Sequence, residues 1–325
     1  MSARHVPEMS VVIVTDRYET IRKTVRHLRA QTVRDRLEVV IVAPLPAEQL
    51  DLDDAETRDF SRVRVVEVGS IASLSAAKAS GIRQAGAGLV VFAESHSYPD
   101  PGWAEALIEA HRQPWAVVGP VVGNANPGGM ISWSNLLLDY GRWLEPAPAE
   151  VIDELPGNNS SYKRAILLDY GTELEAMLEV ETILHWDLVS RGYRLYLEPR
   201  ARTYHLNISL GSSWLPERFY GGRRFAAGRA KCWSPLRRLV YTGGAPLIPL
   251  VRLRRILSVI RRSGRQRELL PRVLPALIVG LVASAAGEMV GYACGCGNAI
   301  ERLSSLELHK VTHLTLRERH IETSE

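Results

Sequence analysis

The residues with the clearest chemical potential are Glu94, Ser95 and His96, directly after the apolar run LVVF at 89–92. A carboxylate and an imidazole two residues apart, where a buried strand leaves its sheet, can face one divalent cation. Mn2+ or Mg2+ is the expected ion, since Mn2+ accepts this mixed oxygen and nitrogen set. Such a cation is a Lewis acid that neutralises a departing diphosphate. The alternative is a loop with a solvated Glu and a capping His. Arg223 and Arg224 in FYGGRRFAAGR form a second candidate group, because guanidinium grips phosphate oxygens in pairs from a mobile loop. Duty at a membrane surface is the competing reading for both.

Positioning these groups requires strands whose ends open onto a crevice. MSVVIV at 9–14 and LEVVIV at 37–42 are nearly all apolar, as strands covered on both faces are. Between them Ile21, Val25 and Leu28 share one helical face. The spacing predicts a third strand over 63–68, a small-residue helix over 73–85 and a fourth strand over 89–92. That β-α-β alternation implies a doubly wound parallel sheet with ligands beyond the carboxyl ends of its strands. Further on, WAVVGPVV reads as a strand, 132–144 as an amphipathic stretch, 178–191 as a helix and 194–198 as a strand.

Composition bounds the class. The chain has 325 residues, 46% hydrophobic and 23% charged, enough for one large α/β domain with an appendage. Its net charge is +4, yet residues 218 to 272 hold fifteen Lys or Arg and a single acid, Glu268. A block of that kind suits an anionic partner, a membrane surface above all, or else a solvated face. Interleaved aromatics are lacking, so no nucleic-acid partner is expected. Cys232, Cys294 and Cys296 are odd in number and fit neither a disulfide framework nor a zinc motif. MSARHVPEMSVVIV lacks the long apolar core and cleavage site of a signal peptide, which leads us to expect the cytoplasmic face of the cell membrane.

The membrane expectation comes from the last third. Residues 273 to 293 are apolar save Glu288 and just long enough to span a bilayer, a buried helix being the alternative. Ala283, Gly287, Gly291 and Gly295 recur every four residues, a stripe that lets helices approach closely and offers a route to a homo-oligomer with Glu288 buried against a partner. Residues 239 to 251, broken by Gly243, Gly244, Pro246 and Pro249, read as interfacial or re-entrant. RLRRILSVIRRSGRQR is a basic amphipathic pattern suited to an anionic leaflet. The expected organisation is a catalytic domain over 1–215, a basic interfacial segment over 216–272, a hydrophobic helix over 273–296 and a tail over 297–325.

Several blocks together resemble glycosyltransferase family 2. SVVIVTDRYETIRKTVRHLRAQT is similar to that family's opening strand and helix, LSAAKASGIRQAGAGLVVF to its second block, and FAESH followed by PDPGW to the acidic strand end with its proline-rich turn and Trp. GNNSSYKR resembles the block before the acceptor site, and RGYRLYLEPRARTYH the last catalytic strand. The resemblance implies a GT-A fold, α/β with a mixed sheet flanked by helices, and C-terminal membrane-associated helices. It also implies an inverting transfer of sugar from a nucleotide-sugar donor, UDP favoured, to a hydroxyl on a lipid-linked or glycan acceptor.

The same resemblance assigns residues. Glu94-Ser95-His96 is similar to the Asp-Ser-His of polypeptide N-acetylgalactosaminyltransferases, in which the His ligates metal. His205 stands where some relatives complete the site, a core histidine being the alternative. Lys78 occupies a position usually held by Arg, and we expect Lys78 and Ser95 on the donor. Where relatives carry nucleobase-binding acids, this chain has Ala43-Pro44-Leu45, leaving backbone groups and Thr15, Asp16 or Tyr18 to read the base. Counting back from Gly192, the catalytic base is Glu181, preceded by Val180 where an acid is usual. His185, four residues on, is in helical reach of it. Asn159 and Trp103 are expected on the acceptor side. A helix-start carboxylate is the alternative for Glu181, a self-satisfied turn for Asn159. The altered triplet and missing acids also suit a catalytically degenerate nucleotide-binding or assembly protein on the same fold.

Overall fold

A computed structural model describes residues 6–324. Residues 1–5 of the run read as lacking a signal pattern lie outside them. The chain runs β1 (Met9–Val14), α1 (Tyr18–Arg29), β2 (Leu37–Ala43), α2 (Asp54–Thr57), β3 (Arg62–Glu67), α3 (Leu74–Gln84), β4 (Leu89–Ala93), β5 (Ser97–Pro99), α4 (Trp103–Ala110) and β6 (Val117–Asn124). It continues through α5 (Met130–Asp139), β7 (Glu150–Ile152), β8 (Ser161–Lys163), α6 (Arg164–Leu168), α7 (Leu174–Leu178), α8 (Glu181–Ser190) and β9 (Leu195–His205). Helices follow: α9 (Gly211–Arg229), α10 (Pro235–Gly244), α11 (Ile248–Arg262), α12 (Gln266–Cys294), α13 (Ala299–Leu308) and α14 (Leu316–Ser324).

Two compact units result, residues 1–123 with 146–204 and residues 124–145 with 205–325. The division passes through the last residues of β6 and β9, and it recruits α5 to the helical unit, which no boundary in the sequence announced.

In the first unit the sheet order is β3-β2-β1-β4-β8-β6-β9-β5, with β7 on β9. Strands β1 to β4 pair in parallel, as expected, but β8 runs antiparallel to both β4 and β6, so the sheet is mixed. Every residue of β1 and β2 is buried, which is why both read as nearly all apolar, broken only by Ser10 and Glu38. Helix α3 approaches them closely because a Cβ on Gly81 would fall 2.5 Å from Val12 and 2.9 Å from Val42. Its start is held by Ser73, whose hydroxyl accepts from Ala76 N, and by Glu179, which accepts from Ser75 Oγ at 2.7 Å.

The second unit is built on a helix pair. A Cβ on Gly222 of α9 would strike the Ser284 carbonyl, and one on Gly287 or Gly291 of α12 would strike α9 backbone. The small-residue stripe is therefore used inside this chain. Glu288 is likewise buried within it, 3.6 Å from Arg252 of α11. Arg218 of α9 is buried and grips Asp139 of α5 at 2.6 and 2.7 Å. By length and composition α12 is apolar enough to cross a membrane, with half of its apolar stretch buried in the chain.

Candidate active site

The expected helix over 178–191 breaks at Glu179 and Val180, which puts Glu181 at the first position of α8. A carboxylate there sits in the positive field of the helix start. It accepts from Lys78 Nζ at 2.8 Å, with the two side chains 17% and 13% exposed. Gly157 passes directly over it: a Cβ at that position would lie 2.7 Å from Glu181 Cβ and Cδ.

Lys78 Nζ also donates to Asn158 Oδ1 at 2.7 Å, and Asn158 Nδ2 donates to Glu94 Oε1 at 2.6 Å. Glu181, Lys78, Asn158 and Glu94 thus form one hydrogen-bonded row from the expected base to the expected metal ligand. Asn159 Nδ2 and Ser97 Oγ donate to Glu94 Oε2 at 3.1 and 2.7 Å, completing a cradle around that carboxylate. Asn159 reaches it from a left-handed backbone, φ 61°, which Asn tolerates better than most residues. Its buried side chain supports Glu94 rather than lining an open surface. Asn158 was missed in the sequence, where only the doubled Asn of GNNSS hints at it.

His96 Nε2 lies 3.8 Å from Glu94 Oε1, and its Nδ1 is 3.2 Å from Ser95 Oγ. His205, the closing residue of β9, falls in the second unit. Around His205 the tautomer is fixed. Asn207 Nδ2 donates to Asn124 Oδ1 and to His205 O, so its Oδ1 faces His205 Nδ1 at 2.9 Å as an acceptor. Nδ1 is therefore the donor to Asn207, which fixes the orientation of the ring. A carboxylate and an imidazole, as Glu94 and His96 offer, suit Mn2+.

His185 does not partner Glu181. It is fully buried, its Nδ1 accepts from Leu155 N at 3.4 Å and its Nε2 lies 2.8 Å from Tyr162 Oη. Burial pushes its pKa down to about 4 against the opposing pull of Glu181, and burial raises Tyr162 well above the ordinary phenol range. Both rings stay neutral and brace the loop carrying Gly157 and Asn158, since Tyr162 Oη also reaches Gly157 O at 3.3 Å.

Other expected contacts are corrected. Thr15 is buried and its hydroxyl closes a turn on Arg17 O at 2.6 Å, while Tyr18, also buried, donates to Glu56 at 2.9 Å. Neither presents its hydroxyl to a nucleobase; Asp16 at the same strand end is partly exposed. Trp103 is 0% exposed in the core at the start of α4, so it presents no surface to an acceptor. Arg223 and Arg224 lie in the continuous helix α9, not a mobile loop, and Arg223 Nε donates to Gly295 O at 2.9 Å, closing the end of α12.

Residues 10–170 match the family model described as Glycosyl transferase family 2. No curated protein matches the chain in sequence. Among solved structures it is similar to mannosyltransferase PcManGT from Pyrobaculum calidifontis in complex with GDP-Man and Mn2+, at 14% identity and a TM-score of 0.51, with 88% of each chain covered. It is also similar to S. aureus TarS 1-349 in complex with UDP, at 16% identity, a TM-score of 0.45 and 90% of each chain covered. A third is GalNAc-T7 with UDP, GalNAc and Mn2+, at 14% identity and a TM-score of 0.45, matched over 63% of this chain. The chain spans 44% of that protein's length. The mixed sheet flanked by helices is the GT-A fold.

Proposed function

From the glycosyl transferase family 2 domain of residues 10–170 we propose that this chain is an inverting transferase, moving a sugar from a nucleoside diphosphate, UDP first among candidates, to a hydroxyl acceptor. The observation that carries it is the row Glu181, Lys78, Asn158, Glu94, which ties a carboxylate suited to proton abstraction to one suited to metal.

In this mechanism Glu181 takes the proton of the acceptor hydroxyl. The acceptor oxygen bonds to the anomeric carbon from the face opposite the diphosphate, and the bond from that carbon to the phosphate oxygen breaks, its electron pair leaving with the nucleotide. Lys78 holds the Glu181 carboxylate in place until the acceptor arrives. Glu94 and His96 would hold Mn2+, with His205 added by the family resemblance, and the ion when bound neutralises charge on the departing diphosphate. A lipid-linked or glycan acceptor at the cytoplasmic face of the membrane is part of the proposal, motivated by the apolar and basic helices after residue 230.

A second reading, a nucleotide-binding protein without turnover, is favoured by one observation: the hydroxyls of Thr15 and Tyr18 are already engaged and the end of β2 lacks acids. The test is a panel of nucleotide-sugars with Mn2+, assayed for transfer into lipid extract. Transfer from one donor, reduced about 10²- to 10⁴-fold in Glu181→Gln with nucleotide binding intact, is expected. Equal turnover in Glu181→Gln would remove the base, and Mn2+-dependent binding without transfer to any acceptor would favour the second reading.

A further inference from the structure

Helix α10 carries its apolar face outward. Ser234 Oγ accepts from Arg237 N and Pro235 opens the first turn, so the helix starts sharply. Leu236, Leu239 and Val240 then share one face and are 72%, 68% and 63% exposed. The other face is anchored. Tyr241 packs against Trp233 and Tyr292 with ring centres 4.5 and 5.5 Å apart, and the Arg237 guanidinium lies 4.2 Å over Trp233. Rotating the helix to hide its leucines would break that cluster.

The pattern continues. Leu247, Leu250 and Val251 are 63%, 66% and 52% exposed, while Ile256 and Ile260 of α11 are buried. Along α12, Leu274, Ile278, Val282 and Met289 form an outward stripe at four-residue and seven-residue spacing, each at least 37% exposed. Single exposed apolar residues are ordinary, but a repeated outward face on three successive helices is not. Exposed Arg254, Arg255, Arg261 and Arg262 follow directly on α11, within the segment of fifteen cations and one acid.

We infer that α10, α11 and the outer stripe of α12 seat this protein in one leaflet of an anionic phospholipid bilayer without crossing it. Lying rather than spanning follows from the helix pairing. The inner side of α12 rests backbone to backbone on α9, and α9 carries Glu217, Arg218, Arg223, Arg224 and Arg229. A crossing α12 would draw those charges into hydrocarbon, which is costly, whereas an in-plane α12 wets only its apolar stripe with lipid. The cations supply the preference for negative headgroups. This inference stands independently of the transferase reading.

The test uses the full chain without detergent and sealed vesicles of phosphatidylglycerol with phosphatidylcholine, or of phosphatidylcholine alone. Co-sedimentation is expected with the anionic vesicles and about tenfold weaker with the neutral ones. Leu236→Glu/Leu239→Glu/Leu250→Glu should lose both, with an unchanged melting curve, and Arg254→Glu/Arg255→Glu should lose only the anionic preference. For topology, an impermeant maleimide added outside should label Cys232 and also Leu316→Cys, which lie before and after α12. No retention of the wild type, full retention of the folded triple variant, or labelling of Leu316→Cys only after detergent would each overturn the inference.

Discussion

Strand β2 and helix α10 are both rich in aliphatic residues, yet every residue of β2 is buried and the aliphatic face of α10 is open. In the first unit hydrophobicity reports what another element covers; in the second it reports a surface fitted to a different solvent. Helix α3 makes the same point from the other side, since its small residues exist to let β1 and β2 come close.

The contrast can be broken by paired truncations. Ile41→Ala should cost about 2–5 kcal/mol in chemical unfolding, because a fully buried methyl cluster leaves a cavity. If it costs no more than a surface change, the first unit is not packed as described.

Buried polar groups sharpen the comparison next. The unfolded chain binds a proton on His185 near pH 6.5, the folded one only near pH 4, and His111 behaves alike because burial also pushes it down to about 4. The unfolded state therefore holds more protons between those values. Stability is full above pH 6.5 and is lost as pH falls toward 4, by about 3 kcal/mol for His185 alone. Urea unfolding across that window should show His185→Gln with a slope shallower by about one proton. An unchanged slope would place the titration elsewhere.

In the second unit the corresponding group is Asn207, buried and holding the His205 ring. Asn207→Ala should weaken Mn2+ binding about 10- to 100-fold, as measured by electron paramagnetic resonance of the free ion, with folding retained. Unaltered affinity would remove His205 from the proposed metal site. The smallest effect belongs to Leu239→Ala, within about 0.5 kcal/mol in water, since nothing in the chain is uncovered by it.

Much of this was legible in advance. Strands β1, β2 and β4 and helix α3 fall within a residue or two of the expected bounds, the strands because runs buried on both faces leave a nearly continuous apolar signal. The last strand was expected over 194–198 but continues to His205, since its second half is buried at alternate residues only and charged side chains fill the open face. Glu94, His96 and Glu181 could be proposed from position. What the sequence could not supply was direction and distance. Whether Thr15 or Tyr18 turns inward depends on helix packing, and Lys78 meets Glu181 across 103 positions. Asn158 and Asn207 act only through neighbours that the fold assembles.

Gly157 leaves no allowance between its loop and Glu181. The two positions therefore cannot drift separately: even a methyl group at 157 would have to be matched by a shorter acid at 181, withdrawing its carboxylate by a carbon. The spacing at that point is set jointly by a residue with no side chain and by the carboxylate beneath it.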